Sequence, residues 1–216
     1  MKFENTEVWG FEHAVRGMRN PLNSWDKGDS GYIDRRFNDQ FYIGENDLDL
    51  AQRLIKAGSE HRKFLRQIFV SVDITAPIYW WKEFDTYKVG TVANSTSTMH
   101  KLSSTPITLD CFELTSVKLC EAGKRYFQEL ENMRIRYNEL KSTDAEKAKR
   151  YWKALIQLLP ESWLQKRTVT MNYENVLNMY RQRKNHKLSE WSKSFCDWVK
   201  TLPYAEELIC FEKEIK

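Results

Sequence analysis

The chain has 216 residues, 41% of them hydrophobic and 30% charged, with a formal net charge of +4. That length suits one domain with a core of its own. The charge is mild and both signs are interspersed, which argues against a nucleic-acid binder with its clustered basic face. It leaves room for an anionic small ligand such as a nucleotide. No apolar run reaches the length of a membrane span, and the opening MKFENTEVWG has no apolar segment of signal-peptide type. The four cysteines stand at 111, 120, 196 and 210 with no CxxC pair. They read as reduced thiols in a cytoplasmic protein, with no zinc site signalled.

Residues 1–20 mix a short apolar start with Trp9 and His13. Residues 21–39 are punctuated by Asn20-Pro21, Lys27-Gly28-Asp29 and Ser30-Gly31 and read as a long loop. The loop holds or adjoins Trp25, Tyr32, Phe37, Phe41 and Tyr42, which points to order, as a lid or an oligomer contact. Asn46 or Asp47 can cap a helix running to Gly58, with Leu48, Ala51, Leu54 and Ile55 on one face. Residues 64–74 alternate, with Ile68, Val70, Val72 and Ile74 on one side, and predict a half-buried strand.

Thr75-Ala76-Pro77 can begin a helix, and the aromatic run from Tyr79 extends that prediction to Val89, before Gly90. Adjacent Trp80 and Trp81 cannot point the same way along such a helix. One of them is therefore expected to be exposed or at a subunit interface. Tyr79, Trp80, Trp81, Phe84 and Tyr87 serve either as core or as a stacking surface for a flat ring. Residues 91–106 are small and hydroxyl-rich and read as a loop. Residues 110–140 and Ala145 to Leu159 predict two long helices, broken and capped at Ser142-Thr143-Asp144, forming an antiparallel hairpin. A short strand at 167–171 follows, then helices at about 174–182 and 188–202.

Two stretches carry a resemblance to a known family. The first begins at Glu60-His61, before the strand. Lys82-Glu83-Phe84 and Thr86-Tyr87-Lys88 then stand at the places of an Arg-Gln-Trp and an Arg-His-Arg. Thr91, Asn94, Ser97 and Met99-His100 follow at the spacing of Ser, Asn, Ser and Arg-Tyr. The second runs from Leu159-Pro160 through Asn172, Asn178 and Arg183 to Glu190-Trp191. Together these resemble the flavin-dependent thymidylate synthases, with a degenerate signature.

The resemblance implies an α+β fold, with mixed helices packed on a small antiparallel sheet and a long helical hairpin in the middle. It implies a single domain over residues 1–216 and a homotetramer. Its chemistry would methylate dUMP with FAD, NADPH and methylene-tetrahydrofolate, the flavin carrying the hard steps. Arg183 would be the catalytic residue, its guanidinium fork orienting the pyrimidine. His61, Asn172 and Asn178 would line the cofactor, and Lys88, Thr91, Asn94 and Ser97 would hold the nucleotide. No metal is implied.

Each residue also has a plainer reading. Arg183 sits in a basic run, Asn172 can be a helix cap, and the hydroxyls can be ordinary loop polarity. Thr86, Tyr87 and Met99 depart from the signature. Glu174 stands where a flavin-contacting arginine is expected, and a carboxylate there repels a pyrophosphate. These departures suit two alternatives: another pyrimidine-nucleotide modification, or a binding or structural protein built on the same fold.

Overall fold

The computed structural model describes residues 1–33, 40–114 and 120–211. Phe37 of the long loop, and Val117 and Leu119 of the long helical pattern, lie outside the described residues. In chain order the strands are β1 (Lys2–Trp9), β2 (Gly31–Tyr32), β3 (Phe41–Tyr42), β4 (Phe69–Pro77), β5 (Val92–Ser95) and β6 (Leu164–Asn172). The helices are α1 (Phe11–Met18), α2 (Glu45–Ala57), α3 (Ile78–Phe84), α4 (Thr98–Lys101), α5 (Glu121–Leu140), α6 (Ala145–Leu158), α7 (Tyr173–Arg183) and α8 (Cys196–Lys200). One sheet has the strand order β1-β4-β6-β5, and β2 pairs antiparallel with β3. The architecture is mixed α+β with small antiparallel sheets, as the sequence pattern predicts. No helix among the described residues is long and apolar enough to cross a membrane.

The chain divides into two compact units. One comprises Met1–Lys2, Ile74–Thr86 and Asn94–Thr168. Its helical hairpin joins α5 and α6 as predicted, but α5 starts at Glu121 and not at 110, because Leu109–Cys111 is a 3-10 turn and Phe112 bridges Trp163. Asp144 caps α6 by accepting from the Lys147 N–H at 3.0 Å. Leu130 and Leu155 close against Leu102, Ile107 and Phe112 in a buried cluster. Trp80 and Trp81 are both fully buried, against the expectation that one would be exposed. The two rings meet edge to face at 4.9 Å and both pack on Phe84. Trp81 Nε1 donates to the Gln165 carbonyl at 3.0 Å, and the Arg167 guanidinium lies 4.2 Å from its ring. A short helix covered on more than one side buries two adjacent rings without facing them the same way.

The other unit comprises Phe3–Asp73, Tyr87–Ala93 and Val169–Lys216. Its core holds Ile68, Val70, Tyr173, Trp191 and Phe195. Phe3 of β1 stacks on Trp198 at 4.9 Å.

Other boundaries also differ from the sequence pattern. Strand β4 starts at Phe69 and runs through Pro77, because residues 63–67 form a 3-10 turn. Helix α3 stops at Phe84, where the Thr86 hydroxyl donates to the Glu83 carbonyl at 2.7 Å. The hydroxyl-rich stretch contains β5 and α4 rather than loop alone. Strand β5 is the sheet edge and all four of its residues are exposed, so it carries no alternation to read.

Candidate functional site

Arg183 ends α7, half-buried. Its Nε donates to the Tyr87 hydroxyl at 2.9 Å, and its guanidinium lies 4.8 Å from the Trp191 ring. The Tyr87 hydroxyl donates in turn to Gln182 Oε1 at 2.8 Å. Tyr87, which departs from the signature histidine, therefore fixes the fork of Arg183. A second tie holds the same segment: Asn175 Nδ2 donates to the Val89 carbonyl at 2.7 Å. Gly90 sits between, at φ +78°, where an added Cβ would lie 2.9 Å from Asn175 Oδ1. Tyr87 and Val89 thus lay the segment along α7, with Tyr87 at the helix end beside Arg183 and Gly90 at its start beside Asn172 and Asn175.

Along this segment and α7 the predicted contacts differ in what they leave open. Lys88 is exposed. The Thr91 hydroxyl donates to the Tyr87 carbonyl at 2.5 Å. Asn172 is buried and caps α7: its Oδ1 accepts from the Asn175 N–H at 3.0 Å, and Asn175 Oδ1 accepts from the Asn172 N–H at 3.2 Å. This reciprocal box satisfies two backbone donors at the helix start.

Asn178 lies further along α7, where its Oδ1 accepts from Arg62 Nη2 at 3.0 Å. Arg62 also forks onto Glu174, Nε to Oε2 at 2.9 Å and Nη2 to Oε1 at 3.0 Å. Both side chains are nearly buried, 11% and 9% exposed. The bidentate pair is the strong geometry for these groups. It neutralises Glu174, so the repulsion expected of a bare carboxylate is largely cancelled. Arg181 stands beside the pair with Nη2 buried and unbonded among the described residues. Burial, and then the neighbouring Arg62, push its pKa down, while Glu174 opposes them.

His61 is exposed and lines a cavity of about 570 Å³ with Met18, Leu50, Leu54, Lys63 and Phe64. Neither Asn172 nor Asn178 lines it. Of the three residues expected at a flavin, one faces a cavity and two have their side-chain oxygens engaged by the chain itself. The three therefore do not line that cavity together. In the other unit, Asn94 is exposed on β5. Ser97 caps α4: its Oγ accepts from the His100 N–H at 3.3 Å and lies 2.7 Å from His100 Nδ1. Among the described residues no cluster of His, Cys, Asp and Glu can hold a metal, and the four cysteines are free thiols.

No family model and no curated protein matches this sequence. Solved structures do. A flavin dependent thymidylate synthase, ThyX, from Helicobacter pylori, complexed with FAD and dUMP, aligns with a TM-score of 0.69. The alignment covers 97% of this chain and 98% of that one, at 15% identity. A second structure of that protein with FAD and dUMP gives the same score and identity, covering 97% of each chain. The chain has the ThyX fold. The likeness spans the whole chain although the signature is degenerate, because a fold needs the buried pattern and not the polar contacts. Arg62 is the candidate that sequence reasoning missed, and the contacts of Tyr87 and Trp191 with Arg183 were not foreseen. Nothing in the sequence links Arg62 to Glu174, 112 positions away. Tyr87 stood out as a departure from the signature and as one of the candidate stacking rings.

Proposed function

We propose that this protein is a divergent flavin-dependent thymidylate synthase-like enzyme that binds a pyrimidine nucleotide. The observation that carries the reading is the match over nearly the whole chain to a synthase solved with FAD and dUMP. Arg183 supports it: a guanidinium held by a tyrosine hydroxyl and flanked by a tryptophan ring is pre-aimed, so less side-chain freedom is lost on binding. In this reading Arg183 orients the base and Lys88 meets a phosphate as a point charge. The reaction would be methylation of dUMP with FAD, NADPH and methylene-tetrahydrofolate, in a cytoplasmic homotetramer. His61 would contribute to the cofactor site, and Asn94 and Ser97 to the nucleotide.

A second reading is favoured by the engaged contacts. Asn172, Asn178, Thr91 and Ser97 each make hydrogen bonds inside the chain. A protein that binds a nucleotide on this fold without flavin chemistry would look the same. Fold alone does not choose between them.

The visible absorption spectrum of the purified protein, taken after incubation with FAD and desalting, separates the two. The enzyme reading expects a retained flavin band that dUMP perturbs, with the dUMP response lost in Arg183→Met. A protein that retains no flavin and yet binds dUMP through Arg183 supports the second reading. Absence of both binding events overturns the proposal.

A further inference from the structure

Away from Arg183, the segment from Asn20 to Gly31 builds a second cavity of about 320 Å³ with α1, β3 and α2. This is the lower end of small-molecule pockets. The segment is rigidly tied. The Asp47 carboxylate, 2% exposed, accepts from Arg19 Nε at 2.5 Å, from the Asp29 and Ser30 N–H groups at 3.1 Å each, and from the Ser30 hydroxyl at 2.6 Å. Asp29 answers by accepting from the Asn46 and Asp47 N–H groups at the start of α2. Gly44 permits this approach: a Cβ there would sit 2.3 Å from the Asp29 carboxylate. The Tyr204 hydroxyl accepts from the Ile43 N–H at 2.9 Å and fixes the chain just beyond β3.

Three rings line the cavity without being absorbed into the core. Trp25 is 52% exposed, its Nε1 donating to Asn20 Oδ1, and Tyr32 meets Phe41 edge to face at 5.3 Å. Two guanidiniums line it as well. Arg19 is almost buried; its Nε serves Asp47 and its Nη1 serves the Ser24 carbonyl, which leaves Nη2 unpartnered among the described residues. Arg16 has no partner among the described residues either. Glu12, four residues earlier on α1, would be its ordinary helix partner, but it accepts from the Tyr32 hydroxyl at 2.7 Å instead. The carboxylates at this cavity are engaged, while guanidinium N–H groups and aromatic faces are left over.

We propose that this cavity binds a planar aromatic ring carrying one acidic group, a carboxylate or a phosphate. The rings supply stacking surface, and the open N–H groups of Arg16 and Arg19 supply charge-assisted donors to the acid. The site is independent of the nucleotide reading above and of Arg183.

The test uses phenyl phosphate and indole-3-acetate as probes, with phenol and indole as their neutral parents, titrated into the full chain. Calorimetry gives affinity, and the indole N–H resonance of Trp25, identified by its loss in Trp25→Phe, gives location. At least one acid should bind about tenfold or more tightly than its neutral parent and shift that resonance; which one does so identifies the acid. Arg16→Met and Trp25→Ala, both at exposed positions, should each weaken that binding about tenfold, and Arg183→Met should leave it unchanged. The proposal is overturned if neither acid outbinds its parent, or if Arg16→Met and Trp25→Ala bind like the wild type.

Discussion

The loop from Asn20 to Gly31 and the segment from Thr91 to Lys101 are both polar, yet they dispose of their polar groups in opposite ways. In the first, Asp47 and Asp29 take up the backbone N–H groups, and Arg16 and Trp25 are left facing the cavity. In the second, the hydroxyls of Thr91 and Ser97 serve backbone groups within four residues of themselves. The ligand-binding capacity of a loop is set by the groups its own folding leaves unused. Hydroxyls such as those of Thr91 and Ser97 are used up at home, because Ser and Thr satisfy local backbone groups readily.

The largest effect that can break this comparison is expected at Asp47. Asp47→Ala would leave Arg19 buried without its partner and release the Asp29–Ser30 turn. The expected loss is about 3–5 kcal/mol, read by denaturant unfolding. Replacing Arg19 by Met in the same chain should recover part of that loss. If Asp47→Ala unfolds like the wild type, the loop is not held as described. Burial works against the Asp47 carboxylate, but the Ser30 hydroxyl, Arg19 and the Asp29 N–H outweigh it and hold its pKa below the ordinary 3.8. Its stabilisation is therefore complete above pH 3.8 and fades as pH falls through the lower folded value. The stability gap between wild type and Asp47→Asn should close in that acid range; a gap that persists at still lower pH counts against the carboxylate as its source.

Next in size is the Arg62–Glu174 pair. Glu174→Ala removes a nearly buried carboxylate between Arg62 and Arg181 and leaves two guanidiniums facing each other. A loss of about 2–4 kcal/mol is expected. Arg181→Met should weaken that penalty by removing the second charge, and a double-mutant cycle measures the coupling. Additive effects would show that Arg181 does not sense the pair.

The buried pattern was legible because periodicity records it. The alternation of β4, the two hairpin helices and the Asp144 cap all follow from spacing and cap chemistry. What periodicity cannot record is an edge strand exposed on both faces, as in β5, or an aromatic helix buried on several sides, as in α3. The site was legible only as residue types at given spacings. Asn172 fits both a cofactor contact and a helix cap at the same position, and the capping box emerges only when Asn175 is seen bonding back. The role of Tyr87 depends on a ring reaching Arg183 from 96 positions away, which no local pattern encodes.

Smaller effects sharpen the comparison. Asn172→Ala removes the α7 cap and should cost about 1 kcal/mol, while Asn172→Ser keeps an oxygen and most of the stability. Retained stability with lost ligand response in the Ser variant would give the side chain a role beyond capping.

Ser97→Ala closes the series. Ser97 serves a helix of only four residues, Thr98–Lys101, so its cap supports little structure. The loss should stay at or below about 0.5 kcal/mol. That small value makes the position a clean discriminator. A hydroxyl that only caps α4 predicts dUMP affinity unchanged within measurement, since removing it disturbs a local turn and nothing else. A hydroxyl that also meets the nucleotide predicts a loss of affinity well above the loss of stability, because a ligand acceptor would then lack its donor. Equilibrium dialysis of dUMP, beside denaturation of the same variant, gives both numbers. Affinity loss without stability loss would move the segment from Thr91 to Lys101 out of the self-satisfied class and into the class of the Asn20–Gly31 loop.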